Sequence, residues 1–334
     1  MTGHARTGLL APGDLDSATV TSAAGRAASP AGLPVPRGPR ADPAVHETGP
    51  SDTAAAPGFP ARGAESAAVV LGAGAVVCQI AYPLLTGTAL NAVTAAAVLL
   101  FAATFLVHAG AWHGARGPLA LLVGAGCLGL AAEAVGVATG LPFGRYSYAD
   151  TLGPRVLGVP LLVPLAWTMM AYPALLAARR LTARAGHPTG RRIGTALLGG
   201  VTLAAWDLFL DPQMVAAGHW TWADPFPSLP GVPTVPLANT AGWLLVGSAM
   251  TAALDRLLPH PAAGPSATAS VAAEALPAVL LTWTWLGSVV ANLAFFARPS
   301  VAVLGGAGMA LTAVPYLWAL LRARAGQQHE AGAR

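Results

Sequence analysis

From about residue 66 the chain is a succession of apolar runs. Each is close to the roughly 20 residues that a helix needs to cross the hydrocarbon core of a bilayer. Eight such runs can be placed, at 66–86, 91–111, 118–139, 157–178, 193–212, 237–257, 275–297 and 301–321. Gly87, Gly114 to Pro118, Gly140 to Pro154 and a proline-rich stretch at 223–236 separate them. The pattern predicts an all-α protein, a polytopic transmembrane helix bundle of about eight spans. Residues 1–64 behave differently: Ala, Gly, Pro, Ser and Thr dominate and no apolar period is present. That composition cannot bury enough surface to fold, and it lacks the compact apolar core of a signal peptide. It predicts a disordered tail at 1–64, a transmembrane domain at 65–325 and a short flexible C-terminus at 326–334.

Charge supports the count and orients it. Only 10% of the 334 residues are charged and 54% are hydrophobic, against about 25% charged in a typical soluble domain. Mean hydropathy is +0.58. With eight spans, one side of the membrane holds Arg62, Arg116, Arg179, Arg180, Arg184, Arg191, Arg192, Arg256, Arg322 and Arg324, and the other only Arg145, Arg155 and Arg298. The positive-inside rule then places both termini in the cytoplasm and the protein in the cytoplasmic (inner) membrane. The arginines sit in loops between apolar runs, so the net charge of +4 does not point to nucleic acid. The chain contains no lysine, which excludes Schiff-base chemistry such as retinal binding. Cys78 and Cys127 fall inside apolar runs and read as small buried hydrophobes.

Three carboxylates interrupt this apolar background: Glu133 in the third span, and Asp207 and Asp211 at the end of the fifth. A carboxylate mid-helix costs about 2.5–3.5 kcal/mol on insertion scales, so such residues face a bundle interior and point to a functional site. At 1.5 Å rise per residue, Glu133 and Asp207 lie roughly 7–10 Å below the outer boundary. Asp211 follows Asp207 by one turn and shares its face, with Pro212 ending or kinking the helix there. Asn239, Thr240, Asn292 and Gln79 fall in the same leaflet. Asp255 and Glu274 fall near the cytoplasmic boundary, where solvation is expected. Gly126, Gly129, Gly136 and Gly140 in the third span suit close helix packing. Trp220 and Trp222 read equally well as an interfacial belt. Trp167, Trp206 and Trp243 lie within spans and could line a greasy pocket or steady a cation. His108 and His113 read as structural. No metal-binding, nucleotide-binding or nucleophile-elbow motif is present, so no metal and no cofactor are expected.

Several segments resemble a known family. They are Glu133-Ala134-Val135-Gly136 through Thr139-Gly140-Leu141-Pro142-Phe143-Gly144-Arg145-Tyr146-Ser147-Tyr148; Leu157-Gly158-Val159-Pro160; and Pro164-Leu165-Ala166-Trp167-Thr168-Met169-Met170. The series continues with Trp206-Asp207-Leu208-Phe209-Leu210-Asp211-Pro212-Gln213-Met214, Gly218-His219-Trp220-Thr221-Trp222 and Asn239-Thr240-Ala241-Gly242-Trp243. Together they resemble the membrane carotenoid biosynthesis family, which contains carotenoid 1′,2′-hydratases and bisanhydrobacterioruberin hydratases. The resemblance covers roughly residues 66–321 and leaves the tail outside.

The resemblance implies addition of water across a terminal isoprenoid double bond of an acyclic or monocyclic carotenoid, by a hydro-lyase without a cofactor. That chemistry needs an acid to protonate the less substituted alkene carbon, shelter for the tertiary cation, and a positioned water with a base. A carboxyl away from water can hold its proton near neutral pH. Glu133 or Asp207 is the expected donor, and the other carboxylate, or Asp211, the base. Trp167, Trp206 and Trp243 are expected around the cation, with Tyr146, Tyr148, Asn239 and Arg145 fixing the acid or the water. The expected partners are membrane lipid, the carotenoid, water and other enzymes of the same pathway. Structural roles compete: Asp211 as a helix terminator, Asp207 paired with Arg145 or Trp220, and Glu133 paired with Arg145 or Arg155. A membrane transporter, or a pigment-binding accessory protein without chemistry of its own, is the alternative. Prenyl transfer fits less well, because Asp207 to Asp211 is a thin match to the aspartate-rich motifs that hold a magnesium diphosphate.

Overall fold

The computed structural model describes residues 62–258 and 267–332. The expected tail, up to residue 61, lies outside the described residues. Among these, eight helical segments are long and apolar enough to cross a membrane, which makes the chain a multi-pass membrane protein. They are α1 (Arg62–Ala81), α2 (Gly87–His113), a composite third span, α5 (Leu162–Thr182), α6 (Pro188–Ala216), α7 (Leu237–Leu257), α8 (Ala267–Ala294) and α9 (Pro299–Gly332). The third span joins α3 (Arg116–Leu121) to α4 (Leu128–Thr139) through a π-helical stretch, Leu122–Cys127. The wider π turn re-aims the side chains that follow it, Glu133 among them.

Helices α5 and α6 form the centre. Two-thirds of the α5 span is buried (67%), against 22% for α1, whose Val69, Val70 and Val77 are left to lipid. The α6–α7 seam is close because two glycines make it so. A Cβ on Gly199 would stand 2.3 Å from Thr251 Cγ2, and one on Gly200 2.1 Å from Ser248 Oγ. Backbones that meet this closely gain dispersion contacts that side chains would block. At the end of the bundle that carries Arg179 and Arg180, ion pairs tie α5 to its neighbours. Arg179 Nε donates to Asp255 Oδ1 at 2.7 Å, and its Nη2 reaches the Asp255 and Leu258 carbonyls. Arg180 pairs with Glu274 on α8. The expectation that Asp255 and Glu274 are solvated is therefore corrected: their side chains are 8% and 12% exposed, because arginines on the facing helix satisfy them.

Other boundaries differ for local reasons. The fourth span starts at Leu162, not 157, because Arg155–Val156 (β2) and Val159–Pro160 (β3) form a hairpin. Its turn residues Leu157 and Gly158 both have positive φ, 53° and 81°, the combination of a type I′ turn. Pro212 does not end α6, which runs on to Ala216. Likewise α9 continues to Gly332, so the expected flexible C-terminus is helical through that residue. Cys127 is exposed on the third span rather than buried, while Cys78 is half-buried.

The two long loops at the other end, 140–161 and 217–236, are joined by one antiparallel pairing. Tyr146–Tyr148 (β1) pairs with Trp220–Trp222 (β4), placing Tyr146 opposite Trp222 and Tyr148 opposite Trp220. Strand alternation puts these four rings on one face and Ser147 and Thr221, both exposed, on the other. A second hairpin, Ser228–Leu229 (β5) with Val232–Pro236 (β6), leads directly into α7.

Candidate active site

Under this small sheet lie the three carboxylates. Glu133 on α4 is buried and accepts three hydrogen bonds. Tyr146 Oη donates to its Oε2 at 2.5 Å, Tyr148 Oη to the same oxygen at 2.8 Å, and Trp167 Nε1 to Oε1 at 3.0 Å. Neither Arg145 nor Arg155 pairs with it; Arg155 bonds Asp150 at 2.7 Å and the Tyr148 carbonyl at 2.9 Å. The glycines around Glu133 make these contacts possible. A Cβ on Gly129 would fall 2.8 Å from Trp167 Cδ1, and one on Gly136 2.7 Å from Tyr146 Oη. These two positions, one turn before and one turn after Glu133, admit the donors to its helix face, a more specific use than general bundle packing.

Asp207 and Asp211 face α7 from consecutive turns of α6. The amide nitrogen of Asn239 donates to both, to Asp207 Oδ2 at 2.8 Å and to Asp211 Oδ2. Two hydrogen bonds from one nitrogen put the acceptor oxygens no more than about 5 Å apart. Asp211 Oδ1 also accepts from Trp220 Nε1 at 3.1 Å, whereas Asp207 Oδ1, fully buried, has no hydrogen-bond partner among the described residues. Of the two tryptophans that could be an interfacial belt, Trp220 thus serves the site directly. Trp222 closes the sheet by donating to the Phe143 carbonyl at 2.9 Å.

An apolar aromatic wall joins the two groups of acids. Trp167 and Trp243 stack with ring centres 3.7 Å apart and planes 17° from parallel, and Trp206 meets Trp243 edge-on at 5.8 Å. Glu133, Tyr146, Tyr148, Trp167, Asp211 and Asn239 all line one cavity of about 60 Å³, with Trp220, Trp222 and Trp243 among its other walls. A water occupies roughly 10–15 Å³ by such a measure, so the space suits a few waters or a branched end of four or five heavy atoms. Burial holds the Tyr146 and Tyr148 hydroxyls well above their ordinary range, and the Glu133 charge adds to the effect, so both remain donors.

The fold brings some of the residues singled out in the sequence to this cavity and leaves others away from it. Asp207 stands behind the cavity rather than on its wall, linked through Asn239. Trp206 faces a different and larger chamber. Arg145 is exposed on the sheet, offering only its carbonyl to Ala223 N at 2.8 Å, and does not line the cavity. The reason lies in the alternation of β1: Tyr146 and Tyr148 point inward, so Arg145 must point out. Phe143, Leu152, Leu162, Leu210 and Met214 line the cavity without having been singled out. The matching alternations Tyr-Ser-Tyr and Trp-Thr-Trp were the signal for the inward ring face.

A cavity at one end of the bundle with buried carboxylates, roofed by a sheet and walled by tryptophan, defines a class of multi-pass membrane protein with an acid-bearing apolar pocket. The profile of the carotenoid biosynthesis protein family matches residues 88–312, and the chain belongs to that family. It is 38% identical over 125 residues to the bisanhydrobacterioruberin hydratase of Haloarcula japonica. That stretch is 37% of this chain and 40% of the relative's length. No solved structure matches the chain.

Proposed function

We propose that this protein is a carotenoid hydratase, adding water across a terminal isoprenoid double bond of an acyclic or monocyclic carotenoid in the cytoplasmic membrane. The observation that carries the reading is the meeting of Glu133 and Asp211 on one small, aromatic-walled cavity. The named activity of the Haloarcula relative and membership of the family agree with it.

The chain's own groups divide the work. Asp211 lies on the cavity wall with Asp207 close behind, and two carboxyls this close and away from water readily hold one proton between them. Asp211 delivers that proton to the less substituted carbon of the end-group double bond, and the pair becomes fully ionised. The tertiary carbocation lies against the Trp167–Trp243 stack, whose π faces attract positive charge. Water then attacks the cation carbon. Glu133, whose two oxygens accept hydrogen bonds from three donors, takes the proton released by the water. Glu133 then releases the water-derived proton and one proton returns to the Asp211–Asp207 pair, which resets both acids. The sum is one alkene plus one water giving one tertiary alcohol, with no redox change.

A pigment-binding role without chemistry would need only an apolar chamber. It gives no account of carboxylates from α4 and α6 being drawn into one cavity at the cost of burying them. The test is expression in a bacterium that accumulates an acyclic carotene. Hydroxylated end groups should appear with the wild-type chain and not with Asp211→Asn. No hydroxylated pigment from a wild-type chain inserted in the membrane overturns the assignment.

A further inference from the structure

Beside the small cavity lies a much larger one, and the reaction chemistry does not use it. It encloses about 660 Å³ between α1, α2, α6 and α8, within the range of about 300–1,000 Å³ usual for ligand pockets. The two spaces meet at Thr94, Val98, Leu210 and Met214, side chains that line both. We propose that this chamber holds the polyene body of the substrate, laid along α8, while one end group passes between Leu210 and Met214 to the carboxylates. The proposal rests on the hydratase reading for the end group but locates a separate binding surface.

Four features fit an extended hydrocarbon. The walls carry no charged side chain, which disfavours an ionic ligand or an ion path. Several of the polar groups there are turned to the protein: the hydroxyls of Thr94, Thr282 and Thr284 donate to carbonyls of their own helices, and Trp283 Nε1 donates to Gln79 Oε1 at 2.7 Å. The space is long, since lining residues run along α8 from Val279 to Ala291, about 18 Å at 1.5 Å per residue. It is open on one side to lipid, where Ile80, Val279 and Val290 are each more than half exposed. A pigment dissolved in the bilayer can enter there sideways without crossing water. The Gln79–Trp283 bond bridges α1 and α8 over this mouth. It fixes the indole across the chamber, so Trp283 sets the width available to the chain.

The experiment uses the full-length protein in lipid nanodiscs. One probe is a long polyene with saturated ends, which cannot be hydrated; its induced circular dichroism reports binding. The other is the pair of a long acyclic carotene and a short acyclic isoprenoid carrying the same end group, compared by kcat/KM. Ala291→Trp and, from the opposite wall, Ala97→Phe fill the chamber without reaching the small cavity. Leu311→Trp, on the lipid face of α9, serves as the control. The filled variants should lose the induced dichroism and lower the long-to-short ratio of kcat/KM by about tenfold or more, the scale of discrimination by pocket fit. The control should change neither. Unaltered dichroism in both filled variants, with wild-type melting temperatures, overturns the chamber. A wild-type chain that binds the saturated polyene, loses it on filling, yet hydrates neither substrate supports the chamber and overturns the hydratase reading instead.

Discussion

Glu133→Gln separates the chemical role of this carboxylate from its structural one. Glutamine has the same shape, and its amide can turn so that the carbonyl accepts from Trp167 Nε1 while the NH₂ faces the two tyrosine hydroxyls, which can accept. All three contacts, now at 2.5, 2.8 and 3.0 Å, can then be kept in neutral form. The loss of charge assistance costs about 1–3 kcal/mol of stability. The amide cannot take a proton from water, and a positioned base contributes about 10²–10⁴-fold, or about 2.7–5.4 kcal/mol of barrier at 1.36 kcal/mol per decade. Initial rates of hydroxylated carotenoid formation, measured in proteoliposomes beside a thermal melt, should therefore fall by two to four decades while the melting temperature drops by only a few degrees. A Glu133→Gln protein that works within about threefold of wild type, with a similar melt, refutes the assignment of Glu133 as base.

Other expectations follow from the same contacts. Asn239→Leu leaves two buried carboxyls without their shared donor and should cost about 3–5 kcal/mol, read as a lowered melting temperature; adding Asp207→Leu should recover part of it. Gly129→Ala puts a methyl 2.8 Å from the Trp167 ring and should cost about 1–3 kcal/mol, with altered tryptophan fluorescence as the stack with Trp243 shifts. His219, fully buried in the loop that carries Trp220, is held by burial below its ordinary 6.5. Its folded form resists protonation, so stability is full above about pH 6.5 and falls as the unfolded chain takes up the proton on acidification. The melting temperature of wild type should drop between pH 7 and 5 more than that of His219→Gln; equal drops contradict this. Because Tyr146 and Tyr148 stay protonated beyond their ordinary value of 10.0, no alkaline loss of activity below pH 10 should trace to them, and Tyr146→Phe should leave that limb of the pH profile unmoved.

Much of this architecture is legible in the chain, because lipid imposes a strict rule. Apolar runs of span length must be helices, and the loops between them carry the glycines, prolines and arginines. The same rule makes Glu133, Asp207 and Asp211 conspicuous, and depth counting brings them to one end. What pattern could not supply is pairing between distant segments. β1 meets β4 across two intervening spans, so the sequence shows the tyrosines and tryptophans but not that the former bond Glu133 and Trp220 bonds Asp211. Asn239 looked like one polar group among several; only the close α6–α7 approach at Gly199 and Gly200 makes it the bridge between two acids. Arg145 misled because charge suggests a partner for buried acids, whereas strand alternation turns it outward. Asp255 and Glu274 misled in the opposite sense, since their burial depends on Arg179 and Arg180 from another helix. The start of α5 was obscured because the turn Leu157–Gly158 and its flanking valines are as apolar as a helix.

In the proposed reaction a protein carboxyl protonates an olefin and water supplies the oxygen. The most direct measurement is mass spectrometry of the product formed in D₂O and, separately, in H₂¹⁸O under ordinary air. The product should carry one carbon-bound deuterium beside each new hydroxyl in the first case and one ¹⁸O in each hydroxyl in the second. Hydroxyl oxygen that remains ¹⁶O in H₂¹⁸O, or a product without carbon-bound deuterium in D₂O, contradicts it.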